Sequence, residues 1–238
     1  MNWFIGCSGF HYKHWKEVYY PEGLPQTRWF KYYCQHFNTL ELNNTFYSFP
    51  KLNSLQKWYA DSPPQFVFTV KAYRGITHYS KFNNTHERVS ELYEVLANGL
   101  KEKLGPVLFQ LPPNFWFSEE RLQNIIKNLD QAFTNVVEFR HNSWWQPHVY
   151  TQLAEHNISF CGMSHPTLPA DIVQNTPNLY YRMHGNQQLY ASAYSTLELQ
   201  DFAQSVGRTN AMQAFIYFNN DIGASAIYNA QELIEIVK

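Results

Sequence analysis

Short runs of apolar, β-prone residues recur eight times along the chain, and each run ends on polar or charged residues. They cover residues 3–8, 39–44, 66–71, 107–111, 136–141, 158–163, 179–184 and 214–221. In most of the intervening stretches, apolar residues recur every three or four positions, which is typical of an amphipathic helix. Eight alternating strands and helices predict an α/β fold, a single TIM-type (β/α)8 barrel with eight parallel strands.

One connection departs from this pattern. Residues 164–178 (SHPTLPADIVQNTPN) contain three prolines and no amphipathic repeat, so we predict that the sixth helix of the barrel is degenerate. Two other connections, residues 9–26 and 72–86, are long enough to act as binding loops or lids. The chain has no linker or low-complexity tract, which predicts a single domain over residues 1–238.

Capping residues indicate where several helices begin. Ser195 and Glu198 have the spacing of a capping box, and Ser118 precedes two acidic residues that suit the first turn of a helix. Thr27 is expected to cap a helix that buries Trp29.

Composition narrows the class of protein. The formal net charge is -1, which gives no global attraction to a polyanion. The chain has an odd number of cysteines (3), no leader-like start and no apolar stretch near the roughly 20 residues that span a bilayer. We therefore expect a cytoplasmic protein with no membrane partner. No nucleotide-binding or metal-binding motif is present, so no metal site is predicted. The sequence makes no prediction about a cofactor.

The polar ends of the strands are the strongest functional signal. Side chains alternate along a strand, so Glu41 and Asn43 share one face of the second strand, and Glu138 and Arg140 share one face of the fifth. If their apolar neighbours face the outer helices, these side chains point into the top of the barrel, where TIM barrels keep their active sites. Further polar residues close the other strands: Lys71, Gln110, Arg182, His184, Asn219, Asn220 and Asp221.

This cluster must be paired internally or open to a ligand, because an unpaired buried charge is costly. A salt-bridge network that closes the barrel is one interpretation. The leading hypothesis is an enzyme, a hydrolase, lyase or isomerase, acting on a small polar or anionic, sugar-like or phosphate-like substrate. In it, Glu138 or Glu41 is the general acid or base and His184 is the second proton-transfer group. The predicted substrate-binding residues are Lys71, Arg140, Arg182, Asn43, Gln110, Tyr12, Asn219, Asn220 and Asp221.

Two alternatives stay open. A nucleic-acid-processing or nucleic-acid-binding barrel, analogous to metal-dependent endonucleases of this fold, is less favoured because the chain is nearly neutral and lacks a convincing metal-ligand set. A non-catalytic receptor would hold a metabolite in the mouth of the barrel. The rings available for stacking in the strand-end loops are Phe10, Tyr12, Trp15, Tyr47, Trp116, Trp144 and Trp145.

Several motifs resemble the YecE-like family, domain of unknown function 72. They are GCSGFHYKHW (6–15), YYPEGLP (19–25), FNTLELNNTFY (37–47), FVFTVKA (66–72), LGPVLFQLPP (104–113), VEFRHNSWW (137–145), YRMHG (181–185) and YFNND (217–221). The resemblance implies a TIM-barrel fold and no particular reaction. It also marks signature positions: Gly6, Ser8, Gly9, Tyr12, Trp15, Glu41, Asn43, Thr45, Tyr47, Lys71, Gln110, Glu138, Arg140, His141, Trp144, Arg182, His184, Gly185, Asn219, Asn220 and Asp221.

The chain departs from the family pattern at three positions. The family usually reads G-T-S-G-W after the first strand, where this chain has Cys7 and Phe10. After the sixth strand it commonly has Asp, where this chain has Ser164. Any role of that aspartate is therefore in doubt here.

Overall fold

A parallel barrel of eight strands forms the centre of the molecule. The structure, a computed structural model, describes residues 1–238. The strands are β1 (Asn2–Cys7), β2 (Thr39–Leu42), β3 (Val67–Lys71), β4 (Leu104–Gln110), β5 (Asn135–Glu138), β6 (Ile158–Ser164), β7 (Asn178–Met183) and β8 (Gln213–Phe218). Their order in the sheet is β1-β8-β7-β6-β5-β4-β3-β2, with every neighbouring pair parallel. The predicted (β/α)8 fold is confirmed.

Helices surround the barrel and occupy most of the connections. They are α1 (Trp29–Tyr33), α2 (Asn44–Tyr47), α3 (Leu52–Asp61), α4 (His86–Leu100), α5 (Glu119–Asn128), α6 (Pro147–Glu155), α7 (Thr196–Gly207) and α8 (Ser225–Ile236). Residues 165–177, between β6 and β7, contain no helix, so the expected degenerate sixth unit is present. The long connection of residues 72–86 holds a π-helical turn, Gly75–Tyr79.

The capping predictions are partly right. Ser195 and Glu198 form the capping box of α7, and Ser118 Oγ accepts a hydrogen bond from the backbone N–H of Arg121 at the start of α5. The prediction for Thr27 is wrong. This residue lies inside a 3-10 turn, Gln26–Arg28, that begins after Pro25, so its side chain is already beyond the capping position.

A tyrosine side chain closes the seam between β1 and β2. Here the backbone ladder is interrupted: the N–H of Cys7 donates to the Tyr33 hydroxyl (2.9 Å), and this hydroxyl donates to the carbonyl of Thr39 (3.0 Å). Gly6 is required at the same place, because a Cβ atom there would lie 2.5 Å from the carbonyl oxygen of Thr39. Direct pairing resumes above, where the N–H of Gly9 donates to the carbonyl of Glu41 (2.9 Å).

We expect Tyr33→Phe to lower the free energy of unfolding by about 1–3 kcal/mol, because it leaves a buried N–H and a buried carbonyl without their partner. Urea denaturation of the variant measures the loss. Tyr79→Phe is the matched control, since Tyr79 is two-thirds exposed (66%) and its variant should unfold as the wild type does. Equal stability of the two variants would contradict the role of Tyr33 at the seam.

The interior of the barrel is filled below its mouth. A buried inner layer consists of Leu108, Val136, Cys161, Tyr180, Phe215 and Tyr217. The hydroxyl of Tyr217 contacts the hydroxyls of Thr39 (2.6 Å) and Thr69 (2.8 Å) just beneath the charged strand ends. The barrel is therefore packed rather than hollow, as is usual for this fold.

The apolar neighbours of the charged strand-end residues pack outward, as expected. They belong to the core between the sheet and the helices: Leu40, Leu42, Val137 and Phe139.

Candidate functional site

The charged residues at the strand ends converge at the C-terminal mouth of the barrel. Arg182 lies at the centre, with its Nη2 atom 2.6 Å from Oε1 of Glu41 and its Nη1 atom 2.7 Å from Oε2 of Glu138. All three side chains are buried, with exposed fractions of 0% or 1%. The side-chain alternation along three separate strands thus brings two carboxylates to one guanidinium.

Further donors engage every oxygen of these two carboxylates. Arg140 forms an ion pair with Oε1 of Glu138 through its Nε atom. Ser8 donates to Oε1 of Glu41, and the Tyr180 hydroxyl donates to Oε2 of Glu41 (2.5 Å). The buried cluster is therefore closed within the protein, with two carboxylates matched by two guanidinium groups.

This pairing fixes the ionisation of Glu138. Burial raises the pKa of Glu138, but Arg140, Arg182 and Lys71 outweigh this and lower the pKa to about 2. For Arg182, burial opposes the charged form, while Glu138 and Glu41 raise its pKa well above the usual value. Glu138 and Arg182 are thus permanently charged near neutral pH.

His184 is held as a neutral imidazole. Burial and the neighbouring cations Arg140 and Arg182 keep its pKa well below the usual value. Its Nε2 atom lies 2.8 Å from Nη2 of Arg140, and because arginine can only donate, Nε2 is an acceptor without a proton. The proton of the neutral ring is then on Nδ1, which lies 3.1 Å from the side-chain amide of Asn219. Because this N–H donates, the amide group of Asn219 must present its oxygen to the ring.

Lys71 is the one member of the cluster without an ion-pair partner. It lies two residues beyond Thr69 on the inward face of β3, with its Nζ atom 4.3 Å from the centre of the Phe46 ring. The ion pairs of Glu41 and Glu138 within 4.0 Å go to the two arginines and not to Lys71. Burial and Arg182 lower the pKa of Lys71 to about 7, although Glu138 and Glu41 act in the opposite direction.

A cavity of about 740 Å³ opens above the cluster. Its size is within the range of small-molecule sites. Its lining residues come from the loops and strand ends of the C-terminal face and from α2 and α3: Gly9, Phe10, His11, Tyr12, Leu42, Asn43, Asn44, Tyr47, Trp58, Lys71, Arg182, Tyr190, Asn219, Asp221 and Ile222.

The predicted site residues divide into two groups. Those that line the cavity are Tyr12, Asn43, Lys71, Arg182, Asn219 and Asp221. Those that do not line it are Glu41, Gln110, Glu138, Arg140, His184 and Asn220. Asn220 is buried, and its side-chain amide donates to the carbonyl of Ser192 (2.9 Å) and to Oδ1 of Asn229 (3.1 Å). It therefore links the end of β8 to the loop after β7 and to α8, behind the mouth of the barrel.

Asp221 is the carboxylate of the cavity wall. The Nε2 atom of His14 lies 3.3 Å from Oδ2 of Asp221 and 2.7 Å from the backbone carbonyl oxygen of Asp221. Burial raises the pKa of Asp221, although His14 opposes the shift. Next to it, the hydroxyl of Tyr12 donates to the carbonyl of Ser8 (2.5 Å). The cavity therefore contains an amine and a carboxyl group whose pKa values are both moved toward neutrality.

Sequence reasoning missed two large side chains of this wall. Tyr190 lies in the loop after β7, and the turn at Gly185 was the signal that could have drawn attention to it. Trp58 comes from the middle of α3, where an aromatic residue on a helix gives no local sign that it reaches a cavity.

Not all predicted stacking rings are available. Trp15 and Trp144 are fully buried and the prediction for them is wrong, because they pack in the core beneath the loops. Phe10, Tyr12 and Trp145 are partly buried against the same core. The two exposed rings are those of Tyr47 (65%) and Trp116 (55%).

Ser164 does not contribute a side chain to the cavity. It pairs in register with Met183, which packs in the outer core, so its side chain lies on the outer face of the sheet.

Two further observations concern metals and membranes. No group of three or more His, Cys, Asp and Glu side chains is arranged to hold a metal ion. None of the helices combines the length and the apolar character that a bilayer crossing requires.

Fold and site together define a (β/α)8-barrel protein with a buried charge cluster beneath a ligand-sized cavity at its C-terminal face. Within that class, the chain belongs to the family described as protein of unknown function DUF72, whose model matches residues 4–238. The expected family resemblance is confirmed.

Individual relatives agree with this assignment. The chain is 26% identical to the UPF0759 protein YunF of Bacillus subtilis, over 98% of this chain and 94% of that protein. A crystal structure of a DUF72 family protein from Thermotoga maritima superimposes with a TM-score of 0.91 at 27% identity, covering 100% of this chain and 99% of the other. A second, from Enterococcus faecalis, has a TM-score of 0.85 at 20% identity, covering 99% and 95%.

Proposed function

We propose that the protein is an enzyme that acts on a small polar, anionic substrate at the mouth of the barrel by general acid/base chemistry. The observation that carries the proposal is the unpartnered Lys71 amine in the cavity wall. Glu41 and Glu138 are already matched by Arg140 and Arg182, so the cluster has no carboxylate left to neutralise a fifth charge. An anionic ligand supplies the missing partner.

The geometry supports Lys71 and Asp221 as the proton-transfer groups. A general base is most effective when its pKa is close to the working pH, and the Lys71 amine has a pKa of about 7. Asp221, whose pKa is raised by burial, is suited to hold and return a proton. Isomerisation, elimination and hydrolysis all use such a pair.

Glu138, Glu41 and His184 take a supporting part in this proposal. Glu138 is a very weak base because its pKa is about 2, and both oxygens of Glu41 already accept hydrogen bonds. The Nε2 atom of His184, which carries no proton, already accepts a hydrogen bond from Arg140. Glu41 and Glu138 orient Arg182, which reaches the cavity from below, and His184 positions Arg140.

Binding of inorganic phosphate tests the anion site. A bound anion raises the pKa of Lys71, so we expect the protein to take up to one proton per phosphate at pH 8. Isothermal titration calorimetry in buffers of different ionisation enthalpy measures this uptake. Lys71→Met should abolish it, whereas Lys57→Met, at an exposed lysine on α3, should leave it unchanged.

Turnover distinguishes an enzyme from a receptor. We expect Lys71→Met and Asp221→Asn to lose at least about a hundredfold in kcat, the lower end of the range for a missing general acid or base, in a screen of phosphorylated and carboxylated metabolites. Folded variants with full activity would contradict the acid/base roles. A metabolite that co-purifies with the wild type and is never converted would favour the non-catalytic receptor instead.

A second candidate function is binding of single-stranded nucleic acid, which a pair of exposed tyrosines favours. The guanidinium of Arg74 lies 5.6 Å from the ring centre of Tyr47 and 5.3 Å from that of Tyr79, and both rings are about two-thirds exposed. Rings interleaved with a cation are typical of surfaces that stack bases. Fluorescence anisotropy with a labelled oligonucleotide tests this. Binding that weakens with salt and with Tyr79→Ala would support it, and none at low salt would reject it.

We also propose that the protein works in the cytoplasm. All three cysteines are free, and Cys7 and Cys161 are buried, which suits a reducing compartment.

A further inference from the structure

The Lys71 amine is placed as a nucleophile as well as a base. The side chain leaves the end of β3 on the inward face, and its Nζ atom forms no hydrogen bond or ion pair with another side chain. It rests on the face of the Phe46 ring, 4.3 Å from the ring centre, which orients the amine without occupying its lone pair in a hydrogen bond. The amine also lines the open cavity, so a small molecule can reach it.

We propose that Lys71 forms an imine with an aldehyde or 2-oxo acid bound in the cavity. This inference rests on the proposed function, because it uses the same cavity and names the substrate class. Lysines become Schiff-base nucleophiles when they are desolvated or lie beside other cations, and Lys71 meets both conditions through its burial and Arg182. With a pKa of about 7, both forms of the amine are populated at neutral pH. The ammonium form attracts the carboxylate of a 2-oxo acid, and the neutral form attacks its carbonyl.

The groups that face Lys71 explain why this amine differs from other lysines. Arg182 and Arg140 disfavour its ammonium form, while Glu138 and Glu41 favour it. His78, which packs edge-to-face with the Phe46 ring, has a pKa lowered to about 4 by burial and by Lys71 itself, so it adds no charge near neutral pH. The effects of the two carboxylates and the two guanidinium groups on the pKa of Lys71 largely cancel. Desolvation therefore determines whether the amine is protonated.

The steps balance with groups of this cavity. The nitrogen lone pair attacks the carbonyl carbon, and the carbonyl oxygen takes a proton from the attacking nitrogen to give a carbinolamine. The Asp221 carboxyl group then protonates the hydroxyl, which leaves as water, and the resulting iminium returns its N–H proton to the Asp221 carboxylate. The overall change is one amine and one carbonyl converted into one imine and one water, with Asp221 regenerated.

Reductive methylation with formaldehyde and cyanoborohydride tests the nucleophile without any assumption about substrate shape. At pH 7, we expect Lys71 of the wild-type protein to be methylated roughly tenfold or more faster than the exposed Lys57, because an ordinary lysine is almost entirely protonated there. Peptide mapping by mass spectrometry measures both rates in the same sample. Methylation of Lys71 no faster than Lys57 would overturn the inference.

Glyoxylate with borohydride tests the substrate class. We expect one reduced adduct per chain, located at Lys71, absent in Lys71→Arg and formed more slowly in Asp221→Asn. The Lys71→Arg variant keeps the positive charge but cannot form an imine, and mapping of the wild type gives the answer even if a variant fails to fold. Adducts spread over exposed lysines would overturn the inference.

These results separate the imine from the acid/base proposal. Proton-linked phosphate binding together with ordinary methylation of Lys71 would retain the anion site and reject the imine. Selective adduct formation at Lys71 without proton-linked phosphate binding would support the imine and reject the anion site.

Discussion

Arg182→Leu is expected to lower the free energy of unfolding by about 3–5 kcal/mol, which is the cost of removing one partner from a buried ion pair. Arg182 is the only donor that contacts both Glu41 and Glu138, at 2.6 and 2.7 Å. Without it, two buried carboxylates lie in the barrel with one remaining guanidinium, that of Arg140. This loss is a large part of the total stability of an ordinary domain. Urea denaturation at pH 7 measures it.

The control is a variant that removes one carboxylate together with its guanidinium partner. Arg182→Leu combined with Glu41→Gln leaves Glu138 paired with Arg140 and no carboxylate without a cation, so it should recover part of the lost stability. If the single variant does not fold, the double variant still tests the argument, since it should fold. A single variant within about 1 kcal/mol of the wild type would show that the network does not hold the barrel mouth together.

Lys71→Met is expected to have the opposite effect and to stabilise the protein below pH 7, by roughly 2–4 kcal/mol at pH 6. The pKa of Lys71 falls from 10.5 to about 7 on folding. Between these values the unfolded chain binds more protons than the native protein, so the stability of the wild type rises with pH across this window. Below pH 7 the lysine is charged in both the folded and the unfolded protein. The full cost of burying that charge then lowers the free energy of unfolding of the wild type.

The advantage of the methionine variant should therefore shrink as the pH rises from 7 toward 10.5. Urea denaturation of the wild type and the variant at pH 6 and pH 9 checks the trend. The other titratable groups are common to both proteins, so their pH-dependent contributions cancel in the difference between the two free energies of unfolding. Lys57→Met, at an exposed site, should show no such pH dependence. If Lys71→Met destabilises the protein at pH 6, Lys71 belongs to a stabilising ion pair and the central argument for the site is wrong.

A lysine that reduces stability is informative about function. Residues retained against stability are concentrated at functional sites, where a perturbed group performs a task that a better-packed residue cannot. Arg140, Arg182 and Lys71 illustrate the difference. The two arginines are paired and stabilise the fold, whereas the lysine is unpaired and faces the cavity.

The barrel and the face on which the charges meet follow from local sequence patterns. Period-two alternation fixes that Glu41 and Glu138 point inward while Leu40 and Val137 point outward, and parallel strands place all their C-terminal ends at one rim. Local capping chemistry also located the start of α7 at Ser195. These features depend on neighbours within a few residues, so they can be inferred from a short window of sequence.

The pairing of those charges, in contrast, depends on contacts between distant parts of the folded chain. Glu41, Glu138 and Arg182 are 44 or more residues apart, and their distances depend on the register of strands that no local pattern specifies. The same holds for the burial of Trp144 and for the entry of Trp58 into the cavity wall. Ion pairing and desolvation are properties of the assembled barrel, because they arise from side chains that meet only after the strands have been placed side by side.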